Sequence, residues 1–146
     1  MTKKYIVDSS VIVKLLNTND EEHIEAANNL LSDTLDGYAE LIAPELAKYE
    51  IGNVLLKSKK LVPKESDISF TTLYSLPVTF VTESEKLAQE TFLLAYTNNI
   101  TYYDASFLAL AKLYNATLVT ENIKHQGKST TVKVISLKDY STSVLS

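Results

Sequence analysis

Three acids stand where the surrounding residues make an acid costly. Asp8 ends the β-branched run Tyr5-Ile6-Val7 and is followed by Ser9-Ser10, then by Val11-Ile12-Val13. That break is the signature of a strand whose last residue pushes a carboxylate out of the sheet, into the mouth of the next helix. Glu50 lies three positions after Ala47 and four before Val54, on the stripe Leu46, Ala47, Ile51, Val54 and Leu55. Helical spacing turns its carboxylate to the inward face, where an unpaired charge is expensive. Asp104 directly precedes the apolar run Ala105-Ser106-Phe107-Leu108-Ala109-Leu110-Ala111. Two of them also have a plain explanation. Glu50 at the stripe's edge can snorkel out or pair with Lys57, and Asp104 can be an ordinary N-cap. Cap and ligand are not exclusive.

Carboxylates gathered in one cleft repel and raise one another's pKa, a cost that a divalent cation removes. With no Cys and only two His, at positions 23 and 125, the donors are oxygens, which favours Mg²⁺ or Mn²⁺ over Zn²⁺. Such an ion keeps several waters, polarises phosphate and helps to deprotonate an attacking water. Phosphodiester hydrolysis is the chemistry this set serves best.

Short β-branched runs alternate with helical patterns along the chain. Strands are expected at 5–7, 41–42, 77–81, 117–120 and 132–135. Helices are expected from Val11 to Leu16, capped by Ser9 or Ser10, and from Asp20-Glu21-Glu22 to about Leu35. Further helices run from Pro44 to about Ser58, from Pro63 to Leu76, from the capping box Thr82–Glu85 to about Tyr96 or Asn98, and from Asp104 to Tyr114. Thr101-Tyr102-Tyr103 reads as extended. The acids at 20–22 and Glu45 are explained by helix dipoles. The pattern predicts an α/β fold, a parallel sheet covered on both faces and wound by right-handed crossovers. Sites in such sheets gather beyond the carboxyl ends of the strands. Asp8 lies at one such end, and Glu121 and Asn122 at another.

The 146 residues suit one domain, 1–146, with 45% hydrophobic content, 3 Gly and 3 Pro, and no internal repeat. No apolar stretch is long enough to cross a membrane, and the run after Lys3 and Lys4 breaks at Asp8, so it does not read as a signal peptide. The absence of Cys excludes disulfides and thiolate metal sites and points to the cytoplasm. The net charge is -4, and all 14 positive residues are Lys. Nucleic acid would therefore be handled through a local Lys patch, a metal, or both, without bidentate Arg clamps.

Four blocks now stand out in order: Val7-Asp8-Ser9-Ser10, Ala43 to Leu55 around Glu50, Tyr103 to Ala111 around Asp104, and Leu118-Val119-Thr120-Glu121-Asn122. Together they resemble the signature blocks of PIN-domain ribonucleases, and most closely the VapC-type toxins of toxin–antitoxin pairs. The resemblance spans nearly the whole chain. It implies a three-layer α/β/α PIN-like fold with a five-stranded parallel sheet, and metal-dependent endoribonuclease activity in which a metal-activated water hydrolyses RNA. It also implies frequent homodimers and neutralisation by a VapB-type antitoxin. Asp8, Glu50 and Asp104 match the first three acids of the family, and Ser10 matches the small polar residue that supports the first. The fourth place, usually Asp, holds Asn122, with Glu121 before it. Asn accepts through its carbonyl oxygen but adds no charge. The expected site is three carboxylates, with Asn122 beside the ion and Glu121 as a further metal candidate.

Lys14, Lys57, Lys59, Lys60 and the loop Lys124-His125-Gln126-Gly127-Lys128 are the candidates for RNA contact, with solvated helix ends as the plain alternative. The segments around Leu73-Tyr74 and Phe92-Leu93 offer a dimer face, an antitoxin groove or simply core. A receiver domain would need an acidic pair after the first strand, and an aspartyl phosphatase an Asp at position 10, where Ser10 stands. The serious rival is a catalytically impaired PIN-like domain that binds RNA or a protein without cutting, and Asn122 is what motivates it.

Overall fold

The first strand, β1 (Lys3–Val7), is the centre of a five-stranded sheet. A computed structural model describes residues 2–16, 22–126 and 131–141. After β1 come α1 (Ser9–Leu16), α2 (Ile24–Leu35), β2 (Ala39–Pro44) and α3 (Leu46–Asn53), which continues as a π-helical turn, Val54–Ser58. Then follow α4 (Pro63–Ser75), β3 (Val78–Val81), α5 (Glu85–Asn98), α6 (Tyr102–Tyr114) and β4 (Thr117–Thr120). A short α7 (Ile123–Gln126), β5 (Val134–Ser136) and a 3₁₀ turn (Leu137–Asp139) follow as the last elements among the described residues.

All strands are parallel, in the order β3-β2-β1-β4-β5. From β1 the chain steps outward to β2 and β3, returns across the sheet to β4, and steps to β5. Right-handed crossovers then put α1 to α4 on one face and α5 with α6 on the other. The winding reverses between β1 and β4, so the crevice at their carboxyl ends is the topological switch point. The expected α/β architecture and five-stranded parallel sheet are present.

Burial follows from this layering. Leu41, Ile42, Ala43 and Pro44 in β2 are all buried, as strands covered on both faces require. Val11, Ile12, Ala27, Leu30, Ala47 and Ile51 pack one side of the core. On the other side α6 is buried continuously from Ala105 to Ala111. Tyr140, whose ring meets Tyr5 edge-on at 5.5 Å, donates its hydroxyl to the buried Asp33 of α2.

Several boundaries differ from the sequence expectation, each for a local reason. Asp8, not Ser9 or Ser10, closes the start of α1: its Oδ2 accepts from Ser10 N–H at 3.2 Å, and its carbonyl accepts from Val11 and Ile12 N–H. Pro44 ends β2 instead of starting a helix; Glu45 N–H then extends the pairing to the Val81 carbonyl at 3.0 Å. Ser84, not Thr82, caps α5, accepting from Leu87 N–H at 3.1 Å. Thr101 caps α6 by accepting from Asp104 N–H at 3.0 Å, so Tyr102 and Tyr103 are helical and Asp104 sits inside the first turn. Part of the expected Lys124 loop is α7. Helix α2 starts at Ile24, after His23 in the left-handed region (φ 62°), and Glu22 lies in the turn before it. Asp20, Glu21, Gly127 and Lys128 lie outside the described residues.

Candidate active site

Asp8 leaves β1 at the switch point, 8% exposed, its N–H bonded to the Val119 carbonyl of β4 at 3.0 Å. Standing directly between the end of a strand and the helix it caps fixes its backbone on both sides. Its Oδ2 accepts from the Ser10 hydroxyl at 2.5 Å as well as from the Ser10 N–H. Ser10 thus holds the Asp8 carboxylate by both its hydroxyl and its backbone N–H.

Glu50 reaches the same place from α3. Ala47 and Ile51, on its face of the helix, are fully buried, and that anchors the turn that carries it. Its Oε1 accepts from the Ser9 hydroxyl at 2.7 Å. Burial is the main influence on its carboxyl and raises the pKa from the ordinary 4.5; the Ser9 bond opposes this, and the charges of Asp8 and Asp104 add to the rise. Asp8, directly after β1, and Asp104 of α6 therefore both act electrostatically on Glu50 of α3. Glu50's packed partner is Ser9, a residue whose role the sequence reading missed. Its position directly after Asp8, at a helix start, was the available signal.

The acids are spread rather than clustered. Among the described residues, no three His, Cys, Asp or Glu side chains are close enough together to hold one metal ion. Their chemistry nonetheless suits Mg²⁺: the donors are all oxygens, and the mutual repulsion felt at Glu50 is what a cation relieves. Mg²⁺ is commonly held by one or two carboxylates with its remaining positions filled by water, so a spread set is compatible with it.

At the end of β4, Asn122 is exposed, and its N–H is bonded to the Thr120 hydroxyl at 2.8 Å. Glu121 points its Oε2 at Lys14 Nζ, 3.4 Å away, and at His23 Nδ1, 2.9 Å away. Lys14, expected as an RNA contact, is 8% exposed and engaged with Glu121. Lys57, Lys60 and Lys124 are exposed, and Lys59 is half-buried. Nothing in the sequence marked His23 as a partner of Glu121.

The family model for the PIN domain matches residues 5–127. The chain belongs to the PIN-domain family. No curated protein matches it in sequence. Among solved structures, this PIN domain resembles PAE2754 from Pyrobaculum aerophilum at 23% identity, covering 94% of this chain and 93% of that one, with a TM-score of 0.65. It resembles VapBC2 from Rickettsia felis, bound to a promoter DNA fragment, at 20% identity, covering 91% and 98%, with a TM-score of 0.67. It also resembles VapC20 of Mycobacterium tuberculosis, a toxin that cleaves the sarcin–ricin loop, at 12% identity, covering 80% and 87%, with a TM-score of 0.61. At these identities the likeness concerns the fold, and it extends over nearly the full length of PAE2754 and the VapBC2 chain.

Proposed function

We propose that this PIN domain is a metal-dependent endoribonuclease and the toxin of a VapBC-type pair. The observation that supports the proposal is Glu50 itself: bonded to the Ser9 hydroxyl next to Asp8, its carboxyl pKa is raised first by burial and further by the charges of Asp8 and Asp104. Membership of the PIN family and the VapC fold likeness support it. Asp8, Glu50 and Asp104 would hold Mg²⁺ or Mn²⁺, directly or through water, with Asn122 beside them. A divalent ion so held supplies a water of lowered pKa and stabilises charge on a phosphate oxygen. Ser10 and Ser9 orient the Asp8 and Glu50 carboxylates, and no nucleophilic side chain is needed.

Two tyrosines stand next in the chain to these acids: Tyr49, 74% exposed, and Tyr103, 58% exposed. Exposed rings beside a phosphodiester site are platforms on which unpaired bases stack. With the exposed Lys124, they are our assignment for RNA contact. The proposal includes a VapB-type antitoxin, a homodimer and action in the cytoplasm. Among the described residues no helix is long and apolar enough to cross a membrane. Leu73 belongs to the core, whereas Tyr74, Phe92 and Leu93 are exposed and available to a partner.

A non-cutting binding module is the second reading, favoured by Asn122 in place of an acid and by the spread of the carboxylates. Purified protein incubated with total RNA and Mg²⁺ or Mn²⁺ separates the two. Cleavage that is abolished by chelation and by Asp104→Asn supports the nuclease. Equal activity in wild type and Asp104→Asn overturns the site.

A further inference from the structure

The side chain of Glu121 is held from two directions. Lys14 comes from α1 and His23 from the residue before α2, and both meet the same oxygen, Oε2. A carboxylate only accepts at this oxygen, so His23 Nδ1 carries the proton of that bond. Glu121, Lys14 and His23 have side-chain exposures of 19%, 10% and 32%, so the cluster is largely shielded from water and its charges are weakly screened. His23 adopts a left-handed backbone (φ 62°), which is uncommon for a residue with a side chain and sets it at the entry to α2.

The main chain of Glu121 faces the opposite partner. Its N–H donates to Ser10 Oγ at 3.2 Å, and Ser10 Oγ–H donates to Asp8 Oδ2 at 2.5 Å. A hydroxyl has one proton and two acceptor positions. With the Glu121 N–H on an acceptor position, the Ser10 proton is directed to Asp8. Lys14 and His23 are thus linked through Glu121 and Ser10 to the first acid of the site.

We infer that Glu121 is a positioning residue and not an ion ligand: clamped by Lys14 and His23, it fixes the end of β4 so that its own N–H aims Ser10 at Asp8. This rests on the nuclease reading for its functional consequence, though the hydrogen-bond relay itself does not. Recruiting Glu121 to an ion would cost Lys14 and His23 this contact. It would also pull on the backbone that orients Ser10.

The test uses isotope-labelled full-length protein as wild type, Glu121→Ala, Glu121→Gln and Lys14→Met, with thermal melts confirming that each folds. In the metal-free protein, Glu121→Ala and Lys14→Met should both shift the Ser10 amide and Asp8 carboxyl resonances, with Glu121→Gln intermediate. On Mn²⁺ titration, Glu121→Ala should weaken affinity by about 10-fold, as loss of an outer support does, with the number of waters on the ion unchanged. Loss of Mn²⁺ binding, or one extra bound water in Glu121→Ala, would make Glu121 a ligand and overturn the inference. Unmoved Ser10 and Asp8 resonances would overturn it too, leaving only a stabilising ion pair. If wild type binds no Mn²⁺, the nuclease reading fails, and the metal-free resonances still decide whether the relay exists.

Discussion

The hydroxyl of Ser9 donates to Glu50 Oε1 at 2.7 Å, joining the first residue of α1 to the middle of α3 across 41 positions of sequence. Its neighbour Ser10 serves Asp8 in the same way. Two consecutive serines at one helix start thus hold two carboxylates of the site, each by a hydroxyl that donates. Ser9→Ala removes the influence that lowers the Glu50 pKa and leaves burial and the two neighbouring acids unopposed. It should destabilise the metal-free protein by about 1 kcal/mol, the usual net worth of such a bond, and weaken Mn²⁺ binding. Calorimetric melts and metal titration check both.

Glu50 itself should be a liability without a cation. Its folded-state pKa lies above the unfolded value, so the folded state holds the proton more tightly. Stability is then greatest below the ordinary value of 4.5 and falls as pH rises through the raised one. Glu50→Gln keeps an acceptor for Ser9 and removes the charge. At pH 7 it should raise the Tm of metal-free protein by on the order of 1–3 °C, and this advantage should vanish as pH falls below the carboxylate range. A pH series of melts, wild type against Glu50→Gln, reads this directly.

The stacking assignment separates binding from chemistry. Tyr49→Ala and Tyr103→Ala should each raise KM for RNA about 5-fold or more with kcat little changed, since a base–aromatic stack contributes roughly 1–3 kcal/mol. A fall in kcat at unchanged KM would remove the tyrosines from substrate binding.

In the core, Tyr140→Phe should destabilise the fold by about 1–2 kcal/mol, because it withdraws a donor from the buried carboxylate of Asp33. RNA cleavage at a temperature well below the melt should be unaffected. Denaturant titration at fixed pH measures the loss.

What the sequence disclosed depended on whether a residue's role is local. Asp8 showed itself by breaking a β-branched run, and Glu50 by falling on a stripe of apolar residues at helical spacing; both signals lie within a few positions. Asp104 stands out for the same reason, but as the expected start of a helix, whereas it lies inside the first turn of α6. Thr101 is also a capping residue, and Tyr102-Tyr103 favour strands until the buried face of α6 draws them into the helix. Pro44 and Ser84 differ similarly, through tertiary pairing and through a choice between two hydroxyls, Thr82 and Ser84, two positions apart. Contacts that depend on the winding of the sheet had no local trace. Glu121 meets His23 across 98 positions, and only the adjacency of β1 and β4 brings them together.

Asp8, Glu50 and Asp104 are proposed as one metal site although they are spread in this fold. Titration of Mn²⁺ into wild type, Asp8→Asn, Glu50→Gln and Asp104→Asn tests it most directly. The account predicts specific binding to wild type and a loss of about 10-fold or more in affinity in each variant. Equal affinity in all four proteins, or no specific binding to wild type, would contradict it.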